Sequence, residues 1–228
     1  MCGITGIFNF DQRPFSLEVL KKMTDIISHR GPDGEGVWAD TYIGLGHRRL
    51  AIIDLSEAAR QPMNDGNDRY VITYNGEVYN FQELRAELET LGYKFKSHTD
   101  SEVVLKSWCE WGTDALLKFN GMFAFAIWDK KEKRLFLARD RCGIKPLYYW
   151  YQKNRLVFGS EVKSIIQHPE FSPGVSIPAL NEYFSFQNIF SDLTLFVGIK
   201  LLPAAHYLEF GLEQGLIRKQ QYWDYCFE

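Results

Sequence analysis

Cysteine is scarce in this chain of 228 residues, with four in all, at positions 2, 109, 142 and 226. They are widely separated and form no C-x-x-C pair, which excludes a disulfide scaffold and fits a reducing, cytoplasmic setting. No apolar run approaches the roughly 18–20 residues that a bilayer span requires. The first residues carry neither a charged n-region nor an A-x-A-like cleavage site, so no signal peptide is expected. Neither sign of charge dominates: the net charge of -3 gives no pull toward nucleic acid or an anionic membrane surface. The five histidines, at 29, 47, 98, 168 and 206, are scattered without H-E-x-x-H spacing, and no metal site is expected. Neither G-x-G-x-x-G nor G-x-x-x-x-G-K-[ST] occurs, so no nucleotide is bound by motif. Internal repeats and low-complexity tracts are absent too.

What the chain does have is apolar mass. At 46% hydrophobic and 15% aromatic residues, it can bury the core of one large domain or two small ones. PFSLEVLKKMTDIISHR predicts a helix over 14–30, capped by Ser16, with Leu17, Leu20, Met23 and Ile27 on one stripe. RGPDGEG reads as a loop, and VWADTYIGLGHRRLAIIDL predicts strands running to Leu55. SEAARQPMNDGND is a second loop with a turn at Asp65-Gly66. RYVITYNG predicts a strand with Tyr70, Ile72 and Tyr74 on one face and Val71 and Thr73 on the other. Two helices follow: FQELRAELETLG, from an Asn80 cap with Glu83 three residues on, and SEVVLKSWCEWG, from Thr99 or Asp100 to Gly112. MFAFAIWD, RLFLARD, PLYYWY and RLVFGS predict four strands joined as hairpins through DKKEK, RCGIK and QKN. EVKSIIQ and IPALNEYF read as helices, and HYLEF-GLEQG-LIRKQQYW as a last hairpin. Strands in blocks with helices between the blocks favour α+β with antiparallel sheets over a doubly wound parallel sheet.

The chain opens MCGITGIFNF. A thiol attacks as the thiolate, and a free cysteine has a pKa near 8.5, so Cys2 needs a base or a cation beside it. Loss of Met1 would give Cys2 its own α-amino group, with a reference pKa of about 7.7–8.0, as a tethered base. The plain alternative is a cysteine placed by chance at a frayed end. A nucleophile attacking an amide also needs an oxyanion hole. In YNGE, Asn75 offers a side-chain amide and Gly76 a bare backbone N–H, though Asn-Gly is equally a hairpin-turn pair. An α-amino-acid substrate would need a cation for its carboxylate and carboxylates for its ammonium group. Arg49 in HRRL can fork onto a carboxylate, or Arg48 and Arg49 can be ordinary surface cations. Glu77 and Asp100 are candidate ammonium partners, and Asp100 can equally be a helix N-cap.

Taken together, CGITGIF, HRGPD at 29–33, GHRRLAIIDL at 46–55, QPM at 61–63, YNGEVYNFQELR at 74–85, HTDSEV at 98–103, NGMFAFAIWD at 120–129 and LFLARDRCGIKPLYY at 135–149, with FGSEVKSI after it, carry a resemblance. The chain resembles the N-terminal glutaminase domain of class II glutamine amidotransferases, in the asparagine synthetase branch. The set covers nearly the whole chain in order and displaces the plain alternatives above. The resemblance implies a four-layer αββα sandwich of antiparallel sheets, the N-terminal nucleophile hydrolase fold. It implies that Cys2, exposed by loss of Met1, attacks the side-chain amide of L-glutamine, releases ammonia and leaves a γ-glutamyl thioester that water hydrolyses. Asn75 and Gly76 would form the oxyanion hole. Arg49, helped by backbone groups from Leu50 through Ile52 and Ile53, would hold the substrate α-carboxylate, and Glu77 and Asp100 its ammonium group. RDRCGIKP is expected to be structural, on the face toward a partner domain, with Cys142 packed rather than catalytic. The SGGxDS phosphate loop of a synthetase domain does not occur, so no cofactor is expected in this chain; ATP and magnesium would belong to a C-terminal synthetase partner. Residues 1–210 are expected to form the amidotransferase domain, and 211–228 a hairpin opening the connection to that partner. The expected reading is the ammonia-supplying half of an asparagine synthetase-like enzyme, with a homodimer allowed. The alternatives are the half serving another acceptor, such as a polysaccharide precursor, a different N-terminal nucleophile hydrolase, or a non-catalytic module if Met1 is retained.

Overall fold

Along GMFAFAIWD, residues 121–129, the side chains divide strictly by parity. Ala124, Ala126 and Trp128 enter one core cluster, while Phe123, Phe125 and Ile127 enter another. A strand apolar on both faces must be covered on both, and the computed structural model, which describes residues 1–226, shows what covers it. In chain order the elements are β1 (Gly3–Asn9), α1 (Leu17–Asp25), β2 (Gly34–Ala39), β3 (Ile43–Arg49), β4 (Met63–Asn64), β5 (Tyr70–Val78), α2 (Phe81–Thr90), α3 (Asp100–Trp111), α4 (Ala115–Lys118), β6 (Gly121–Asp129), β7 (Arg134–Arg139), β8 (Tyr148–Gln152), β9 (Arg155–Gly159), α5 (Val162–Ile166), α6 (Ile177–Phe186), β10 (Ile199–Leu201), β11 (His206–Gly211) and β12 (Gly215–Gln221).

The strands form two antiparallel six-stranded sheets, ordered β10-β8-β9-β1-β3-β2 and β12-β11-β7-β6-β5-β4. They pack face to face through Ile4, Phe8, Leu45, Val71, Trp128, Leu137, Phe158 and Phe210. Outside the first sheet, Leu20 and Met23 of α1 and Ile165 of α5 meet Ile7 and Val157. Outside the second, Leu84, Leu88, Val104, Trp108 and Leu116 of α2, α3 and α4 meet Tyr74, Phe123 and Ile127. This is the αββα sandwich, with its main core between the sheets.

Several local expectations need correction. RCGIK is not a hairpin turn: β7 and β8 lie in different sheets, and residues 140–147 cross from one to the other. AIIDL is not a strand. β3 stops at Arg49, and the following loop turns Ile52 and Leu55 to solvent. The helix expected over 14–30 is α-helical only for Leu17–Asp25, with Ser16 capping it through the Val19 N–H, and a single 3-10 turn, Ser28–Arg30, follows. Asn80 precedes α2 without capping it, because its side chain bridges Lys118 and Asn120 instead. The expected tail hairpin is present as β11–β12, and β11 also pairs with β7, so a boundary after residue 210 would cut through a sheet. Residues 227 and 228 of that tail lie outside the described residues. On α6 only Ala179 is buried, whereas Tyr183, Phe184 and Phe186 are exposed, and the exposed Phe190 ring stands 5.7 Å from Phe186.

Trp128 fills the centre of the sandwich, its ring 5.0 Å from Phe8. Its indole N–H has no hydrogen-bond partner, so truncation removes packing and the Lys133 ammonium's contact over the ring, at 6.0 Å, but no hydrogen bond. Trp128→Ala is expected to destabilise the fold by about 3–5 kcal/mol, measured by denaturant unfolding. A loss below about 1 kcal/mol would show that the intersheet core is not close-packed there.

Candidate active site

Both sheets contribute to one cleft. From the first come Cys2, one residue before β1, and Arg49, the last residue of β3; from the second come Asn75, Gly76 and Glu77 in β5. Asp100 opens α3, which packs on β5. All of these line the cleft, together with Leu50, Ile52 and Ile53. The residues singled out from the sequence are therefore neighbours in space. Two bonds fix the sheets against each other beneath it: the Thr73 hydroxyl donates to the Gly46 carbonyl at 3.1 Å, and His47 Nε2 donates to the Tyr74 carbonyl at 3.1 Å.

The Cys2 thiol sits against the turn after β3. The Leu50 N–H points at Sγ at 3.4 Å, and Sγ faces the Leu50 carbonyl at 3.7 Å. Burial pushes the thiol pKa up, with the Leu50 N–H and the chain's amino terminus acting in the opposite direction. Met1 lines the cleft, and its Sδ accepts from Lys145 Nζ at 3.1 Å.

Asn75 and Gly76 are not a turn. They lie inside β5, which continues to Val78. The Asn75 side chain is buried, and its Nδ2 has no hydrogen-bond partner, a costly state for an amide unless a ligand completes it. Gly76 pairs in register with Phe123, which bonds Asp140 on its β7 side through both N–H and C=O. By the alternation of an antiparallel ladder, the Gly76 N–H then points away from β6. On that side β4 is only two residues long and ends before Gly76, leaving this edge open to the cleft. A Cβ at Gly76 would collide with the Met122 carbonyl and the Phe123 backbone, so glycine is required here by close strand approach.

The Arg49 guanidinium donates to the carbonyls of Ser56, at 3.1 Å, and Asp54. These bonds use two of its five donors and hold the 50–56 loop against the cleft wall. The same loop is pinned by Asp33, which accepts from the Ala51 N–H at 2.9 Å, and by Asp54, which accepts from the His98 N–H at 3.0 Å. The bonds from His98 and Ser56 hold the Asp54 carboxyl down at about 2. The Ile53 and Ile52 side chains point largely to solvent, so backbone is what this loop can offer a ligand. Asp100 is not the cap of α3; Thr99 is, accepting from the Glu102 N–H. The Asp100 side chain instead turns to β5 and accepts from the Tyr74 hydroxyl at 2.6 Å and the Val78 N–H at 3.0 Å. Burial raises its pKa, against the lowering effect of those two donors. Glu77 is exposed on the cleft wall.

Four neighbours escaped the sequence reading. Arg30 donates from Nε to the Cys2 carbonyl at 2.9 Å, and Gln61 accepts the Tyr74 N–H at 2.6 Å. Tyr74 holds Asp100, and Lys145 lines the cleft beside Met1. Arg30 and Gln61 fall in the HRGPD and QPM stretches, and only their recurrence as motifs could have marked them. Lys145 belongs to RDRCGIKP, which reaches into the cleft at this residue. Cys142 of the same segment is exposed rather than packed, its thiol 4.0 Å from the Tyr225 hydroxyl. Among the described residues no group of three or more His, Cys, Asp or Glu side chains is placed to hold a metal ion.

Residues 1–223 match the family model of the glutamine amidotransferase domain. Over 98% of its length the chain is 42% identical to asparagine synthetase (glutamine-hydrolyzing) 3 of Bacillus subtilis strain 168, covering 37% of that protein. Over 98% of its length it is also 40% identical to the putative asparagine synthetase (glutamine-hydrolyzing) 2 of Methanocaldococcus jannaschii, covering 47% of it. The fold is similar to that of glutamine phosphoribosylpyrophosphate amidotransferase from Bacillus subtilis, solved with ADP and GMP, at a TM-score of 0.70 and 18% identity. That match covers 97% of this chain and 49% of the other, and it is a likeness of fold. The chain spans less than half the length of the two curated relatives. It belongs to the glutamine amidotransferase domain family.

His47 gives the site a pH limit. Burial lowers its pKa to about 4 from an ordinary 6.5, so the folded state holds it neutral while the unfolded chain protonates it more readily. Its contribution is complete above about pH 6.5 and is lost as pH falls toward 4. His168, likewise near 4, adds a parallel loss. Denaturant unfolding is expected to show stability falling across this window, with a shallower slope in His47→Gln. An unchanged slope in that variant would mean that His47 is not buried neutral.

Proposed function

We propose that this glutamine amidotransferase domain hydrolyses L-glutamine to L-glutamate and ammonia, with Cys2 as nucleophile after removal of Met1. One observation carries the reading: the thiol, the unpartnered Asn75 amide and the Arg49, Glu77 and Asp100 charges share a single cleft. With Met1 attached, the nitrogen of Cys2 is an amide and no base. Met1 is 58% exposed, which leaves it open to removal. Once freed, the α-amino group takes the thiol proton, and Sγ attacks the side-chain carbonyl carbon of glutamine. The oxyanion that forms is held by Asn75 Nδ2 and the Gly76 N–H, aimed as described above. Collapse breaks the C–N bond, and the leaving nitrogen takes the proton back from the α-ammonium group as ammonia. Water, deprotonated by the same amine, then attacks the γ-glutamyl thioester and releases glutamate and the thiol. Arg49 and the backbone of Leu50 to Ile53 bind the substrate α-carboxylate, while Glu77 and Asp100 bind its ammonium group. The wider role we assign is ammonia supply to an ATP-dependent synthetase partner with aspartate as acceptor, in the cytoplasm. The names of the relatives support that role, and among the described residues no helix is long and apolar enough to cross a membrane.

Cys2→Ala is expected to abolish ammonia release from glutamine. Retained turnover, or full activity in protein whose intact mass still includes Met1, would overturn the mechanism. Asn75→Ala should lower kcat by about a hundred- to a thousandfold with KM little changed, as loss of one oxyanion donor does. Arg49→Met should act mainly on KM. Steady-state kinetics with glutamine separate the two, and a reversed pattern would exchange their roles.

A further inference from the structure

We propose that Lys145 is a positioning residue for this reaction: its ammonium keeps the Cys2 α-amino group unprotonated, and so able to accept the thiol proton, near neutral pH. The inference rests on the glutamine-hydrolysing reading above.

The segment around Lys145 is built to hold it still. The Asp140 carboxylate accepts N–H bonds from Phe123 at 3.1 Å, Cys142 at 3.1 Å, Ile144 at 2.9 Å and Lys145 at 2.9 Å. Arg139 donates to the carbonyls of Lys145 at 2.7 Å, Leu202 at 2.6 Å and Gly143. Gly143 takes the left-handed φ of +66° that lets the chain turn between these two anchors. The backbone of Lys145 is thus gripped from both sides, and its side chain is sent into the Cys2 cleft, buried to 4% exposure.

At its end Nζ meets only the thioether of Met1, a weak acceptor. Among the described residues no carboxylate lies within ion-pair distance of it. A buried cation without a counter-charge is expensive, and an apolar side chain of similar length would pack there without that cost. The other charges around the cleft are already engaged or lie on other walls. Arg30 is paired with Glu161 at 3.1 Å, and Glu161 also takes His29 at 2.8 Å and Lys163 at 3.1 Å. Asp100 faces Tyr74 and Val78, Asp140 is covered by its four N–H donors, and Arg49 holds the 50–56 loop; Glu77 remains on the β5 wall. Lys145 therefore brings a positive charge with no ion-pair partner into the cleft that holds the start of the chain, with Asp140 and Glu77 acting on it only from beyond contact distance. Removal of Met1 takes away the group that Nζ touches and creates an amine in the same cleft.

Two like charges cannot both be held there cheaply, and the weaker base gives up its proton. The reference values are about 7.7–8.0 for an α-amine and about 10.4 for lysine, so the amine is emptied first. Burial and Arg30 lower the Lys145 pKa, while Asp140, Cys2 and Glu77 act in the opposite direction, and the starting gap favours lysine as the charged partner.

The test compares Lys145→Met and Lys145→Arg with the parent protein, all confirmed by mass to lack Met1. The acid limb of kcat/KM is expected to move up by about one pH unit in Lys145→Met, with activity down about tenfold near pH 6.5 and little changed near pH 9. Lys145→Arg should keep the parent profile. A second arm needs no catalysis and uses a Cys2→Ala background, again without Met1. There the pH midpoint for acetylation of the chain's leading α-amine by acetic anhydride should rise by a similar amount when Lys145→Met is added. Should Lys145→Met not fold, Lys145→Gln serves the same comparison. Midpoints that do not move, or a profile merely scaled by a constant factor, would overturn the proposal. A parent protein that releases no ammonia while the acetylation midpoint still shifts would defeat the glutaminase reading and leave the role of Lys145 in amine protonation standing.

Discussion

The thiol hangs from one sheet and the groups that face it from the other, so the registry between the sheets is the constraint on which the site depends. A slide of one strand repeat, about 3.3 Å, would carry Asn75 out of reach of Cys2. Apolar packing around Ile4, Phe8 and Trp128 sets the spacing but resists sliding poorly, because it is non-directional. The direction comes from Thr73 to Gly46 and from His47 to Tyr74, two hydrogen bonds in a dry interface where such bonds are strong and their loss is costly. His47 can donate this bond neutral or protonated, but burial favours the neutral ring, which joins the protonation of a core residue to the stability of the frame beneath a surface cleft.

The architecture was legible because binary patterning was unambiguous. Alternation in YVITYN placed both faces of β5 correctly, and the mix of strand blocks and helices already favoured antiparallel sheets over a parallel one. The misplaced elements share one cause: local sequence does not show which sheet a strand joins. RCGIK has the composition of a turn, yet it crosses between layers because Asp140 and Arg139 bind its backbone as a scaffold. AIIDL has β-branched residues enough for a strand, but Arg49 and Asp54 bend the chain into a loop there.

The candidate site was read in its composition but not in its mechanics. Cys2, Arg49, Asn75, Gly76, Glu77 and Asp100 could be named from residue chemistry and family resemblance, and they do converge. Their neighbours were not legible, because their work is done through partners distant in sequence. Arg30 reaches the Cys2 carbonyl, Tyr74 orients Asp100, and Lys145 arrives from far along the chain. Asn75-Gly76 shows the same limit from the other side. Its turn-like composition is overruled by β6, whose backbone leaves no room for a side chain at Gly76.

The bare aromatic face of α6, with Phe190 beside it, bears on how the molecule behaves as a colloid. A net charge of -3 sits near the low end of the range that keeps a small domain dispersed. Attraction between rings strengthens with warmth near room temperature and with kosmotropic salt. Handled alone, the chain should therefore stay dispersed best when cold, dilute and in weakly structuring salt, for reasons unrelated to its chemistry.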